Sequence, residues 1–148
     1  MKIMVSACLL GDNVKYNGGN NKNEELIRFL GDYEIIKVCP EVLGGLTIPR
    51  CPAEINSERV INKERVDVTD NYLLGAKKVL EIAKKEDVKI AILKEKSPSC
   101  GSKQIYDGTF TNTLIKGMGI TSKLLKDEGI QVLNENNYQD YFNKERKW

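Results

Sequence analysis

Four short apolar runs recur along the chain, and the fold is predicted from their spacing. They cover residues 2–7, 34–38, 89–93 and 130–133. Each is rich in aliphatic residues and bounded by glycine or polar residues, a pattern typical of strands buried within a sheet. We therefore predict four strands, of which the first and the third are expected to be buried.

The segments between the strands carry the three- and four-residue spacing of amphipathic helices. The most regular one begins at Thr69 or Asp70, which we expect to cap it, and ends at two lysines, which suit the C-terminal end of a helix. Its predicted buried face consists of Leu73, Ala76, Val79, Leu80 and Ala83.

Three further helices are predicted. One covers residues 23–31, with acidic residues in its first turn and a glycine at its end. The second lies between a glycine at 117 or 119 and the glycine at 129, with Ile120, Leu124 and Leu125 turned inward. The third begins at residue 136 or 137 and runs through Phe142.

Strands that alternate with helices favour right-handed βαβ units and a parallel sheet. We predict an α/β fold: a single-domain, Rossmann-like sandwich over residues 1–148, with a roughly four-stranded parallel sheet and helices on both faces. Residues 42–68 are irregular apart from a small hairpin expected at 59–66. A loop of this length in a small domain is usually functional.

Charge and composition exclude several classes of function. The 23 basic and 21 acidic residues give a net charge of +2 with no basic stripe, so the sequence has no strong nucleic-acid signature. No apolar run approaches the roughly 18 residues of a membrane span, and no signal peptide precedes the first strand. We expect a cytoplasmic protein. Histidine is absent, so acid–base chemistry falls to other side chains.

Three of the four cysteines lie where predicted strands end. Cys8 follows the first strand, Cys39 the second, and Cys100 lies in the loop after the third. Because ligands bind beyond the carboxyl ends of parallel strands, we expect these three at one edge of the sheet. A single free cysteine is commonly a small buried hydrophobe, and Cys51 is open to that interpretation. Three at one edge indicate a site.

The spacing of these cysteines bears on the kind of site. A structural zinc site or a redox dithiol usually brings a Cys-x-x-Cys pair, and this sequence has none. Thiolates gathered from distant loops suit an iron–sulfur cluster. Three thiolates leave one iron of a cubane open, where it can act as a Lewis acid toward a substrate that carries sulfur.

Candidate proton-transfer groups lie beside the cysteines. Glu41, two residues after Cys39, is the best acid–base candidate, and its alternative is a solvated loop carboxylate. Ser97 and Ser99 flank a proline just before Cys100, where plain turn chemistry is the alternative.

Several motifs together resemble the thiouracil desulfidase family. They are residues 6–11, 39–46, 49–50, 67–69, 75–76, 93–101, 106–110 and 117–121, and they extend over nearly the whole chain. The resemblance implies a [4Fe–4S] cluster bound by Cys8, Cys39 and Cys100, with the fourth iron open to the sulfur of a thiolated pyrimidine.

The resemblance also implies roles for other residues. Glu41 would activate water, and one serine of the motif, Ser97 in preference to Ser99, would position substrate or relay a proton. Ser99 and Gly101 of the same motif are predicted to contact substrate. Cys51 stands at a position that varies in the family and is not counted as a ligand. The expected reaction is a non-redox hydrolysis of 2- or 4-thiouracil, or of a nucleotide such as 4-thio-UMP, that gives uracil or UMP and sulfide.

Two alternatives stay open at this point. An electron-transfer or cluster-carrier protein would need a fourth ligand, most simply Cys51. A desulfidase acting on 4-thiouridine in tRNA would need more affinity for a phosphate backbone than this balanced charge provides. The oligomeric state is not predicted.

Overall fold

The computed structural model describes residues 1–145, which form an α/β fold of eight strands and five helices. The strands are β1 Lys2–Ser6, β2 Glu34–Val38, β3 Ala53–Asn56, β4 Arg59–Asn62, β5 Ile90–Leu93, β6 Gln104–Tyr106, β7 Leu114–Lys116 and β8 Gln131–Asn134. The helices are α1 Glu24–Leu30, α2 Pro40–Leu43, α3 Thr69–Lys85, α4 Ile120–Asp127 and α5 Tyr138–Glu145. Residues 146–148 of the predicted domain lie outside the described part.

The four predicted strands form one parallel sheet in the order β2-β1-β5-β8. Successive side chains of β1 point to opposite faces, and both faces are covered. Ile3 and Val5 pack with α1 and α5, whereas Met4 packs with α3 and α4. The predicted sheet with helices on both faces is therefore confirmed. Within residues 1–145, no helix is long and apolar enough to cross a membrane.

The cap of α3 and one position of its buried face differ from the prediction, whereas Ala76, Val79 and Ala83 are buried as predicted. Neither Thr69 nor Asp70 caps the helix: the cap position is Val68, and the Thr69 hydroxyl instead accepts a hydrogen bond from the Val60 backbone N–H (2.8 Å). Leu73 is 51% exposed, whereas its neighbour Tyr72 is 2% exposed. The Tyr72 hydroxyl donates to Glu41 Oε2, so the tyrosine can be buried with its polar group satisfied. The helix therefore turns residue 72 inward in place of residue 73.

The inward face of α4 also differs. Leu125 is fully buried as predicted, but Thr121 and Ser122 are buried in place of Ile120 and Leu124, which are only partly buried. The two hydroxyl side chains bond to the loop before the helix, which explains why polar residues face inward there.

Two small hairpins lie outside the main sheet. The hairpin expected at 59–66 is displaced toward the N-terminus, where β3 pairs with β4 across residues 53–62. Its tight turn has Ser57 at φ 57° rather than the glycine or asparagine that marks such turns in a sequence. The second hairpin, β6 with β7, was not predicted because its three-residue strands are too short to show a period.

Two glycines let α2 and α3 touch through their backbones. A Cβ atom at Gly44 would lie 2.0 Å from the carbonyl oxygen of Asn71, and one at Gly75 would lie 2.0 Å from that of Pro40. Only glycine permits this approach. This contact holds α2 against α3, and it therefore fixes the positions of Cys39 and Glu41, which flank Pro40.

We predict that Gly75→Ala lowers the free energy of unfolding by about 1–3 kcal/mol, because the added methyl group overpacks the contact between α2 and α3. Urea denaturation monitored by circular dichroism measures the change. Lys77→Ala, an exposed substitution on the same helix, is the matched control and should stay within about 0.5 kcal/mol of wild type. Equal stability of Gly75→Ala and wild type would contradict the backbone contact.

Candidate functional site

A cavity of about 520 Å³ lies where β1, β2 and β5 end, at the carboxyl edge of the sheet. Its lining includes Cys8, Cys39 and Cys100, the three cysteines predicted to meet at this edge. Glu41 and Ser97 line it as well. The structure therefore brings five of the predicted site residues to one cavity, from segments far apart in the sequence.

Cys8 lies in a single 3-10 turn, Ala7–Leu10, that follows β1 directly. Gly11 ends this turn at φ 101°, and the Cys8 carbonyl accepts hydrogen bonds from the backbone N–H groups of Gly11 (3.2 Å) and Asn21 (3.0 Å). Burial raises the pKa of the Cys8 thiol, while the Asn21 side chain acts in the opposite direction. The turn holds a half-buried thiol against the cavity.

Cys39 lies between β2 and α2, at the N-cap position of the helix, with Pro40 in the first helical position. Proline is favoured there because its fixed φ suits the first turn and no N–H is lost to the helix. Burial raises the pKa of the Cys39 thiol, and the backbone N–H groups of Glu41 and Val42 partly oppose this shift.

Cys100 is 4% exposed and ends a tight turn. The Ser97 hydroxyl oxygen accepts hydrogen bonds from the backbone N–H groups of Ser99 (3.0 Å) and Cys100 (3.1 Å), and the Ser122 hydroxyl donates to the Cys100 carbonyl (2.6 Å). Burial, followed by the negative charge of Glu41, raises the pKa of the Cys100 thiol.

The donor set of this cavity fits an iron–sulfur cluster. Burial disfavours a thiolate that has no cationic partner, and a bound metal supplies that partner as it displaces the thiol protons. No group of three histidine, cysteine or acidic residues within residues 1–145 is arranged around a single ion. A cubane presents a separate iron to each thiolate, so its ligands need not converge as those of one ion do.

Glu41 is held by two partners that sequence reasoning did not identify. Its Oε2 atom accepts a hydrogen bond from the Tyr72 hydroxyl (2.8 Å) and faces Arg50 Nε at 3.4 Å. Burial and the nearby carboxylate raise the pKa of Tyr72, so the phenol remains a donor. Within residues 1–145, the hydrogen bonds from Tyr72 and Arg50 both fall on Oε2. The other carboxylate oxygen, Oε1, has no side-chain partner there.

Arg50 ties the irregular segment after α2 to this site. Its side chain is only 7% exposed and donates to the carbonyl oxygens of Val14 (2.8 Å) and Thr47 (3.2 Å) in addition to pairing with Glu41. In the sequence, this residue is marked only as an arginine that follows a proline in a loop. Its partner Glu41 lies nine residues away, and only folding brings the two side chains together.

A buried carboxylate, Glu95, organises residues 94–103, which we call the cysteine loop. Its Oε1 atom accepts hydrogen bonds from the backbone N–H groups of Ser102 (2.8 Å), Lys96 (3.2 Å) and Lys103 (3.3 Å). Its Oε2 atom accepts from Asn134 Nδ2 (3.0 Å), at the end of β8. Sequence reasoning missed this residue because glutamate is usually exposed.

The remaining predicted residues lie next to the cavity without lining it. Ser99 is fully buried, and its hydroxyl pairs with that of Thr121 at 2.8 Å. Gly101 is buried where a Cβ atom would approach the Ser97 carbonyl oxygen to 2.9 Å. Cys51 is partly buried beside Arg50 and is absent from the lining.

The cavity is lined by more cationic than anionic side chains. The cationic residues are Lys15, Arg50, Lys63, Lys94 and Lys96, and the anionic ones are Glu41, Glu54 and Glu95. Arg50 is paired with Glu41, and Lys94 Nζ lies 2.7 Å from Glu135 Oε2. Because Glu95 is occupied by backbone N–H groups, the accessible part of the cavity favours a negatively charged ligand group.

We predict that Glu95→Ala lowers the free energy of unfolding by about 2–4 kcal/mol, because it leaves several donors of the cysteine loop without an acceptor. The same variant should bind less iron per chain after anaerobic reconstitution, because the cysteine loop positions the Cys100 thiol at the cavity. Urea denaturation and iron analysis measure the two effects. Glu81→Ala, exposed on α3, is the control and should match wild type in both; wild-type iron content in Glu95→Ala would contradict the role of the loop.

Comparison with known proteins shows the family of this chain. Residues 3–137 match the model of the 2-thiouracil desulfurase family. YbbK, an uncharacterized protein of Bacillus subtilis (strain 168), is 40% identical over 93% of this chain and 98% of its own. The solved structure of a [4Fe-4S]-dependent thiouracil desulfidase, TudS, matches with a TM-score of 0.90 and 39% identity over 97% of this chain and 96% of that one. The chain therefore belongs to the 2-thiouracil desulfurase family.

Proposed function

We propose that this protein is a [4Fe–4S]-dependent desulfidase that removes sulfur from thiolated pyrimidines. The observation that carries the proposal is the lining of one cavity by Cys8, Cys39 and Cys100 together with a fixed carboxylate, Glu41, in a chain of the 2-thiouracil desulfurase family. The structural match to TudS supports the same cofactor and the same class of reaction.

The three cavity cysteines would hold the cluster. Cys51 does not line the cavity, which argues against a fourth thiolate and against a carrier with every iron closed. When bound, such a cluster supplies a thiophilic Lewis acid whose open iron can take up the sulfur of a thiocarbonyl group.

Glu41 would act as the general base. Arg50 and Tyr72 fix Oε2, so the open Oε1 is the atom that can accept a proton from a water molecule in the cavity. A water activated in this way attacks the thiocarbonyl carbon of the substrate. A positioned base of this kind contributes roughly 10²–10⁴-fold to a rate.

Ser97 would serve as a hydrogen-bond donor. Its oxygen already accepts two backbone N–H groups, which satisfy both lone pairs and leave the hydroxyl proton to be donated. Of the two serines that flank Pro98, only Ser97 lines the cavity, and it is therefore the one we assign to substrate positioning or proton relay.

The overall reaction is a hydrolysis without electron transfer. Water adds its oxygen to the ring carbon, the C–S bond breaks, and the two protons of the water leave with the sulfur as hydrogen sulfide. A thiouracil thus gives uracil, and 4-thio-UMP gives UMP.

The cationic lining favours a substrate with a phosphate group. Lys15 and Lys63 line the cavity, and neither shares an ion pair with Glu41, Glu54 or Glu95 within residues 1–145. A single nucleotide such as 4-thio-UMP suits this local charge. A tRNA would need a wider basic surface than a net charge of +2 provides.

The function is tested by anaerobic reconstitution followed by measurement of sulfide release. Reconstituted protein should show broad iron–sulfur absorbance and release sulfide from 4-thio-UMP, 4-thiouracil or 2-thiouracil faster than from thiolated tRNA. Cys39→Ala should lose both the absorbance and the activity, because one thiolate is missing. Cys51→Ala is the matched control and should keep both.

Two results would contradict this proposal. One is wild-type protein that carries the cluster but releases no sulfide from any thiopyrimidine. The other is iron–sulfur absorbance that persists in Cys39→Ala and disappears in Cys51→Ala, which would assign the ligands differently.

Glu41→Ala should keep the cluster absorbance and lose about 10²–10⁴-fold in kcat, because the substitution removes the carboxylate assigned to accept the proton of the attacking water. Glu41→Gln keeps the size and most contacts of the side chain but cannot accept the proton, so it should lose activity to a similar degree. Steady-state kinetics with 4-thio-UMP measures both. Unchanged kcat in Glu41→Gln would remove the residue from the role of base.

A further inference from the structure

The loop between β6 and β7, residues 107–113, forms a wall of the cavity that the reaction described above does not use. Phe110 and Asn112 of this loop line the cavity, and Tyr106 lines it from the end of β6. Phe110 is only partly buried by the protein. A large aromatic side chain is thus left facing a space that must receive a substrate.

The backbone places Phe110 at this wall in an uncommon conformation. Its φ is 58°, in the left-handed region that bulky residues rarely adopt. Such a conformation persists only where surrounding contacts impose it, and it is commonest at functional sites.

Glu54, on strand β3, supplies those contacts. Its Oε1 atom accepts hydrogen bonds from the backbone N–H groups of Gly108 (3.0 Å) and Phe110 (3.1 Å). Gly108 meets the same strand so closely that a Cβ atom there would lie 2.8 Å from the Ile55 carbonyl oxygen. The two small hairpins are thereby locked together around the base of the loop.

A chain of hydroxyl groups stiffens the loop from within. The Asp107 carboxylate accepts from the Thr109 backbone N–H (2.9 Å) and hydroxyl (2.6 Å). The hydroxyl of Thr111 then lies 2.6 Å from that of Thr109 and 2.8 Å from that of Thr113. The loop is preorganised, so little conformational entropy is lost if a ligand packs on it.

We infer that Phe110 is the residue on which the substrate pyrimidine ring packs, and that Glu54 is the positioning residue that holds it there. This inference rests on the proposed function. The flat face of a pyrimidine is common to uracil, thiouracil and their nucleotides, so an aromatic wall selects the ring, while the sulfur and the phosphate are recognised elsewhere in the cavity.

The inference is tested by comparing KM with kcat for 4-thio-UMP and by calorimetric binding of UMP to the cluster-loaded protein. Base–aromatic stacking predicts that Phe110→Ala raises KM and the Kd of UMP by roughly 5- to 100-fold. The same variant should keep kcat and cluster absorbance, because the cysteines and Glu41 are untouched. Phe110→Tyr keeps the ring and should recover most of the UMP affinity that Phe110→Ala loses.

The positioning role of Glu54 is tested by asking whether the effect of its substitution requires the Phe110 side chain. Glu54→Ala should raise KM in the same direction, and combining it with Phe110→Ala should add little, because both changes remove the same contact. Glu54→Gln keeps an oxygen that can accept both N–H groups and should restore the KM of wild type. Ile115→Ala, on an exposed residue of β7 outside the cavity, is the matched control.

The outcomes separate this inference from the proposed function. If wild type releases sulfide but KM and Kd are unchanged in Phe110→Ala, the inference alone is wrong. Phe110→Leu repeats the test if the alanine variant unfolds. Fully additive effects of the Glu54 and Phe110 substitutions would overturn the positioning role of Glu54. A wild-type protein that neither binds UMP nor releases sulfide would overturn both proposals.

Discussion

The parallel pairing of β1 with β2 on one side and β5 on the other is the constraint on which the candidate site depends. In this register Ser6 lies opposite Val38, and Val5 opposite Ile92, so three strands end at nearly the same level. The chain leaves each strand at that level. Cys8 and Cys39 follow β1 and β2 within two residues, whereas Cys100 is brought back to this edge by the cysteine loop, seven residues after β5 ends. Hydrogen bonding between strands, which is independent of side-chain chemistry, thus determines where the thiols meet.

Buried polar groups then hold the chain between those strand ends. Glu95 collects the N–H groups of the cysteine loop, and Glu41 ties α2 to α3 through Tyr72 and to the following segment through Arg50. Each carboxylate has donors that compensate for its burial, as a buried charge requires. The same contacts that stabilise the irregular segments therefore also orient the groups assigned to chemistry, which leaves little freedom for the site to move independently of the fold.

Different structural elements supply the different functional groups that line the cavity. The sheet edge contributes the thiols, α2 contributes a carboxylate with one oxygen open, and the two small hairpins contribute an aromatic wall held by Glu54. In the proposed reaction, sulfur, the attacking water and the pyrimidine ring would each meet a different element. Substitutions in one element can then alter substrate affinity without altering the cofactor.

The amino-acid sequence alone determined the four strands of the parallel sheet, the alternation with helices and the meeting of Cys8, Cys39 and Cys100, because each depends on local periodicity and on the geometry common to parallel sheets. Only the tertiary structure decided that Tyr72 rather than Leu73 faces inward, and that Arg50 and Glu95 are buried. These polar residues are buried because of partners supplied by distant segments. Their burial is a property of pairs, and no pattern along a single stretch of sequence records which pairs will form.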